Sequence, residues 1–436
     1  MVWDGFVLIA KKNYSFNCRR FRNYVSLLTI INPKAYMKLL HTADWHLGQT
    51  FFEYDRRDEH IRFLNWLREQ LREQDVDVLL IAGDIFDSPN PSAESQRLYY
   101  TFLREVTQEN PSLQIIIIAG NHDSAARLEA PNPLLEGMNV SVRGVVRRDG
   151  EGNIDWQHLI IPIRINDETE AYCLAVPYLR QGDYPASETY AQGVQAMYHA
   201  LYDAVKGLGK PVFAMGHLQA TGSEISENDR SERTVIGGLE SVSPDAFDRN
   251  IVYTALGHLH RAQRVSGREN VRYAGSPIPM SFAEKNYRHG VVVVDCKDGD
   301  VQIERREFQP PVQLMSIPSQ AKPLEEVLEE IALLPDGETN GESPYLEIKV
   351  WMSEPEPTYK YKIEEALKGK AVRLARIAAV LPSRTDAGLK TLTYEELQTI
   401  HPMDIAMDVY KRKYGGEDMP ESMKKLLKTV IEEVRE

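Results

Sequence analysis

The sequence predicts an α/β fold built on a parallel sheet, and three observations carry that reading. First, short apolar runs of strand length recur, most of them closed by glycine. Val76-Asp77-Val78-Leu79-Leu80-Ile81-Ala82, broken only by Asp77, runs into Gly83. Such a run reads as a strand buried on both faces. Second, these runs alternate with stretches of helical period, which implies right-handed crossovers between parallel strands. Third, carboxylate, amide and imidazole side chains follow directly on the strand ends, where open α/β sheets place their ligands.

Each element follows in order. Residues 38–43 read as the first strand, ending in Asp44-Trp45-His46-Leu47-Gly48. On an extended backbone Asp44 and His46 face the same side. Residues 59–74 carry Ile61, Leu64, Leu67 and Leu71 at helical spacing. The strand 76–82 delivers Asp84, the carboxylate expected to lie between two metal ions. Residues 91–105 read as a second helix and 113–119 as a third strand, closing in Gly120-Asn121-His122-Asp123. Three polar clusters thus share one sheet edge.

Further strands are predicted at 171–176, 211–215 and 251–256, with a helix at 190–205. The last two strands end in Gly216-His217 and Gly257-His258-Leu259-His260. Residues 291–295 and 301–308 read as a closing antiparallel pair. Gln309-Pro310-Pro311 marks a boundary, after which residues 312–384 alternate strand and helix as a small α/β domain. Residues 391–436 read as two amphipathic helices. Thr393 with Glu396 makes a capping-box signature, and Met423, Leu426, Leu427, Val430 and Val434 form one stripe.

Composition bounds the function. The 436 residues suffice for two or three domains. The net charge of -13 gives no global attraction to nucleic acid, so a polyanion must meet a local basic patch or metal ions. Cys18, Cys173 and Cys296 lie far apart and form no CxxC pair, which argues against a disulfide framework and a thiolate zinc site and fits a reducing cytoplasm. No run approaches the ~20 apolar residues of a membrane helix. Residues 1–36 carry six basic residues and one acid. They read as a mis-called start with Met37 the initiator, or as a basic arm.

The chemistry rests on Asp44, His46, Asp84, Asn121, His217, His258 and His260. Oxygen and imidazole donors without thiolate suit Mn²⁺, Mg²⁺ or Fe. Seven donors exceed the needs of one ion. A bridging carboxylate with three further donors for each ion fits a pair about 3.5–4 Å apart, which activates water and neutralises phosphate oxygens. His122, beside a ligand, is expected to protonate or stabilise the departing oxygen. Taken singly, each motif is as well explained as a turn or a surface pair; it is the joint order that argues for a site.

Those motifs together resemble the series of the calcineurin-like metallophosphoesterases. Leu40 to Gly48 and Tyr273 to Phe282 resemble their DNA-repair nuclease branch. The resemblance covers Met37 to the C-terminus. It implies a four-layer metallophosphoesterase sandwich (37–308), a capping domain (312–384) and a helical module (391–436) that packs on a coiled-coil ATPase. It implies one ion held by Asp44, His46, Asp84 and His260, the other by Asp84, Asn121, His217 and His258, with His122 catalytic. It implies a manganese-dependent exonuclease and structure-specific endonuclease of DNA recombination and replication, and a homodimer within a heterotetramer. Where some relatives carry a histidine this chain has Asp87, which either orients a ligand or caps the next helix. Arg261, Arg264, Arg268, Arg272, Lys285 and Arg288, against Glu269 and Glu284, form a net +4 stretch that either contacts DNA phosphates or is a solvated face. A small-molecule phosphodiesterase and a metal-free scaffold are the competing functions. The first is disfavoured by the extra C-terminal residues and the Tyr273 to Phe282 stretch, the second by the complete ligand set.

Overall fold

A strand that is apolar on both faces needs a layer on each side. The computed structural model describes residues 36–223, 241–353 and 356–380, with isolated positions between 403 and 428. It meets that need with two stacked six-stranded sheets flanked by helices. The chain forms two compact units, divided between Val380 and Leu381.

The first unit opens with β1 (Tyr36–Thr42), a small hairpin of β2 (Thr50–Phe51) and β3 (Tyr54–Asp55), and α1 (Arg57–Glu73). Then come β4 (Val78–Ala82), α2 (Ala93–Glu109), β5 (Gln114–Ile118) and β6 (Val140–Arg143). The Ser92 hydroxyl caps α2 by accepting from the Ser95 N–H. β7 (Ile160–Ile165), β8 (Glu168–Ala175), α3 (Tyr190–Val205), β9 (Val212–His217) and β10 (Ile251–Gly257) follow. The two large sheets are completed by β11 (Gln263–Val265), β12 (Arg268–Tyr273), β13 (Gly290–Lys297) and β14 (Asp300–Glu307).

The first sheet has the order β14-β13-β1-β4-β5-β6, with β1, β4, β5 and β6 parallel. The expected edge carrying three polar clusters is therefore the C-terminal edge of β1, β4 and β5. The second sheet has the order β11-β12-β10-β9-β8-β7. Between the sheets, Leu39, Val78, Leu80, Ile116 and Ile118 meet Cys173, Phe213, Met215, Tyr253 and Ala255. The alternate residues Leu40, Leu79, Ile81, Ile115 and Ile117 face α1 and α2, and α3 covers the second sheet. Helix, sheet, sheet and helix make the four expected layers.

His41 on β1 is buried between the sheets, its Nδ1 2.9 Å from the Tyr253 hydroxyl. Burial pushes its pKa down to about 3, so the fold holds it neutral. The unfolded chain takes up that proton below about pH 6.5, and stability should fall from there towards about pH 3, by about 1.4 kcal/mol per pH unit. Urea unfolding at a series of pH values checks this: His41→Gln should flatten the slope by about one proton.

A third sheet, β15 (Leu314–Pro323), β16 (Tyr345–Trp351) and β17 (Arg373–Val380), is wholly parallel. Its core joins Ile348 and Val350 to Val327 and Ile331 of α4 (Leu324–Ala332) and Ile363 of α5 (Tyr359–Ala366). Tyr345 instead packs against Phe51 and Phe282, tying this third sheet to the double-sheet part. In the second unit, Met403, Ala406, Met407, Tyr410, Lys411, Glu421 and residues 423–428 are helical. The remainder of the expected helical pair, and the 1–35 segment, lie outside the described residues.

Candidate metal centre

Five strand ends, three from one sheet and two from the other, deliver the predicted side chains to one place. Bonds between the sheets fix the arrangement. His217 Nδ1 lies 2.9 Å from Ala82 O, and the His258 N–H donates to Asp44 Oδ1 at 2.9 Å. The glycines before the motifs allow that closeness. A Cβ on Gly257 would lie 1.9 Å from Ala82 O, and one on Gly120 2.1 Å from Asp84 Oδ1. Asp44, His46, Asp84 and His258 all take positive φ. Such backbone costs roughly 1–3 kcal/mol per residue and clusters where function demands it.

Three overlapping groups of ligand atoms each lie within 4.8 Å of one another: Asp44, His46 and His260; Asp44, Asp84 and His217; His46, Asp84 and His122. Asp44, His46 and Asp84 each belong to two of the three. Asn121 Oδ1 joins the remainder, 3.0 Å from both His217 Nε2 and His258 Nδ1. All eight sequence-predicted residues therefore meet. Two buried atoms of the cluster, Asp44 Oδ2 and His46 Nε2, have no hydrogen-bond partner. Unpaired buried polar atoms are costly unless something binds them, and this donor set fits divalent cations.

The electrostatics agree. Burial alone would push His217 down, but the Asp84 carboxylate 3.3 Å away raises it to about 9. Burial opposes ionisation of Asp84, yet His217 and His46 hold its carboxyl well below the usual range. Burial and the neighbouring His217 push His258 down to about 3. The Asp84 carboxylate thus favours a proton on His217, which cation binding at that ring would have to displace.

Sequence reasoning misses two supports, Asp123 and Glu284, and leaves a third, Asp87, between two roles. Asp123 is buried and accepts from the N–H groups of Ile85, Phe86 and Gly120, which pins the Asp84 loop to the Asn121 loop. Its place within the Gly-Asn-His-Asp motif was the available signal. Asp87 does not cap α2, whose N-cap is Ser92. Its carboxylate lies 3.3 Å from His46 Nδ1, and its carbonyl oxygen 2.9 Å from His122 Nδ1. Of the two roles weighed for Asp87, the geometry favours orientation of a ligand. Glu284, counted from sequence as a surface charge, is buried with Oε1 3.0 Å from His260 Nδ1. Only the fold could bring it there.

The basic stretch is not one open patch. Arg264 and Arg272 both pair with Glu269 at the β11–β12 hairpin, and Arg288 pairs with Glu307. Arg268 donates to the carbonyls of Pro244 and Phe247 at 2.8 Å. The hairpin places the acid between the arginines, which spacing alone did not reveal.

Comparison with known proteins agrees with the geometry. Residues 37–262 match the calcineurin-like phosphoesterases, and residues 310–414 match the type 5 capsule protein repressor C-terminal domain. A double sheet with carboxylate, amide and histidine donors at its strand ends defines a metallophosphoesterase. The SbcD subunit of nuclease SbcCD from Rhodobacter capsulatus is 38% identical over 362 residues, covering 79% of this chain and 88% of that one. Its counterpart from Escherichia coli K12 is 28% identical over 413 residues (90% and 96%). That of Bacillus subtilis is 31% identical over 287 residues (61% and 67%). The chain belongs to the SbcD family of calcineurin-like phosphoesterases.

Proposed function

We propose that this protein is the nuclease subunit of a cytoplasmic SbcCD-type complex, hydrolysing DNA phosphodiesters in end processing, recombination and replication. The observation that carries the reading is the convergence of eight motif residues on one buried cluster, in a chain that aligns with nuclease subunits over most of its length. Asp44, His46, Asp84 and His260 would hold one divalent ion, and Asp84, Asn121, His217 and His258 the other. The pair, taken as Mn²⁺ with Mg²⁺ also compatible, supplies Lewis acidity and a nucleophile at neutral pH. The chain's own part is to fix the donors, exclude bulk water from them and present His122 to the leaving oxygen. Asp87 holds that ring by its carbonyl. Residues 312–384 act as the cap over the site.

The relatives are named as one subunit of the SbcCD nuclease, and such a subunit needs a surface for its partner. Here the C-terminal helices are the surface for a coiled-coil ATPase. Leu426 there is 68% exposed, as a helix that docks elsewhere requires. Leu134 is 78% exposed and offers an apolar contact for a second copy of the chain, giving a homodimer within a heterotetramer. Deletion of residues 391–436 should abolish co-purification with the ATPase and spare manganese-dependent cleavage. The deciding experiment is cleavage of hairpin and blunt duplex DNA with Mn²⁺, with and without the ATPase. Turnover of bis-p-nitrophenyl phosphate with no DNA cleavage would point instead to a small-molecule phosphodiesterase.

A further inference from the structure

The structure assigns to Glu284 the positioning of His260, and to the buried Arg56–Glu59 pair the link by which the small domain's Tyr345 reaches it; this rests on the two-ion reading above. Glu284 is completely buried. Its Oε1 lies against His260 Nδ1, which leaves Nε2 as the ring nitrogen for an ion shared with Asp44 and His46. Its Oε2 accepts the Met280 N–H at 2.8 Å and faces the Ser276 hydroxyl at 3.4 Å. A carboxylate behind a ligating histidine fixes the ring's tautomer and orientation and raises its basicity.

The loop that supplies Met280 is held in its turn. The Arg56 guanidinium has no exposed surface. It donates to Pro279 O, to Gln49 Oε1 at 2.9 Å, and by two parallel bonds of 2.9 and 2.8 Å to Glu59. Gln49 stands three residues past His46, and its N–H donates to His46 O at 2.9 Å. One buried cation therefore clamps the loop after His46 and the loop behind His260, two donors assigned to the same ion. Glu59 Oε1 also accepts the Tyr345 hydroxyl at 3.0 Å. Tyr345 opens β16, with the Arg373 guanidinium 3.9 Å from its ring centroid and Phe51 packed beside it.

A buried ion pair contributes little net stability, yet breaking one is costly because the remaining charge is stranded. Arg56 and Glu59 are suited to holding a geometry rigidly. What they join is a cap-domain side chain to the support of a metal-type ligand. Displacement of the cap at Tyr345 would be felt at His46 and His260, and much less at His217 and His258, which are fixed by Ala82 and Asn121.

The test is Mn²⁺ titration calorimetry on the full chain, with thermal melts as a control on folding. Glu284→Gln keeps the size of the side chain and removes its charge. It should weaken one of two Mn²⁺ sites by about 10- to 100-fold and leave the other unchanged. Tyr345→Phe removes only a hydroxyl and should weaken the same site by a smaller factor. In the double variant the two effects should not add. Two unaltered affinities in Glu284→Gln overturn the positioning role, and additive effects overturn the link. Should Glu284→Gln fail to fold, Tyr345→Phe decides: unchanged affinities there refute the coupling. A wild-type chain without two Mn²⁺ sites would be a different failure, that of the two-ion reading itself.

Discussion

Asp84→Asn should lower bound manganese from two ions to fewer than one per chain and reduce DNA cleavage by at least about 10³-fold, equivalent to roughly 4 kcal/mol of lost transition-state stabilisation. Asp84 stands in two of the three donor groups, as Asp44 and His46 also do, but in the proposed ligand set it is the one residue that serves both ions. Asparagine preserves the shape and keeps an oxygen to accept the His122 N–H, which Asp84 Oδ1 does at 2.8 Å. The loop should therefore hold, and the loss should come from charge. His258→Ala provides the comparison, since it should leave one ion bound. Metal content by mass spectrometry on the purified proteins is the measurement. An Asp84→Asn chain that retains two ions would mean that the carboxylate does not bridge.

His122→Asn should reduce DNA cleavage about 10²- to 10⁴-fold, the usual range for a lost general acid, with manganese still at two ions per chain. The ring is half-buried. Its Nδ1 is tied to Asp87 O, and its centroid lies 4.7 Å from that of His46. That tether directs Nε2 as the atom for proton transfer. A substrate whose leaving group departs unaided needs no such acid. Turnover of bis-p-nitrophenyl phosphate should therefore fall much less than cleavage of DNA. Equal losses on both substrates, together with loss of an ion, would make His122 a third-group ligand alongside His46 and Asp84 rather than the acid.

Much of this protein was legible in its sequence because its strands are locally unambiguous. Val78–Ala82 and Gln114–Ile118 are apolar at nearly every position, and a glycine or alanine-glycine step ends each before the polar cluster. The donors Asp44, His46, Asp84, Asn121, His217, His258 and His260, with His122, follow such strands, so their type and place could be read together. Helix limits agree within a few residues: apolar spacing predicts 59–74, and Arg57–Glu73 is found.

What the sequence determined by itself was the strands that deliver the donors, the positions of the donors and the chemistry those donors can perform. Those properties depend on neighbours along the chain. Only the tertiary structure decided that the donors come from two sheets facing one another, that Asp87 and Glu284 stand behind His46 and His260, and that Glu269 neutralises two arginines of the basic stretch. It also decided that Tyr345, 286 residues from Glu59 in the chain, donates to that buried carboxylate. Each of these is a contact between distant segments, and its energy arises from burial and pairing that no local pattern records.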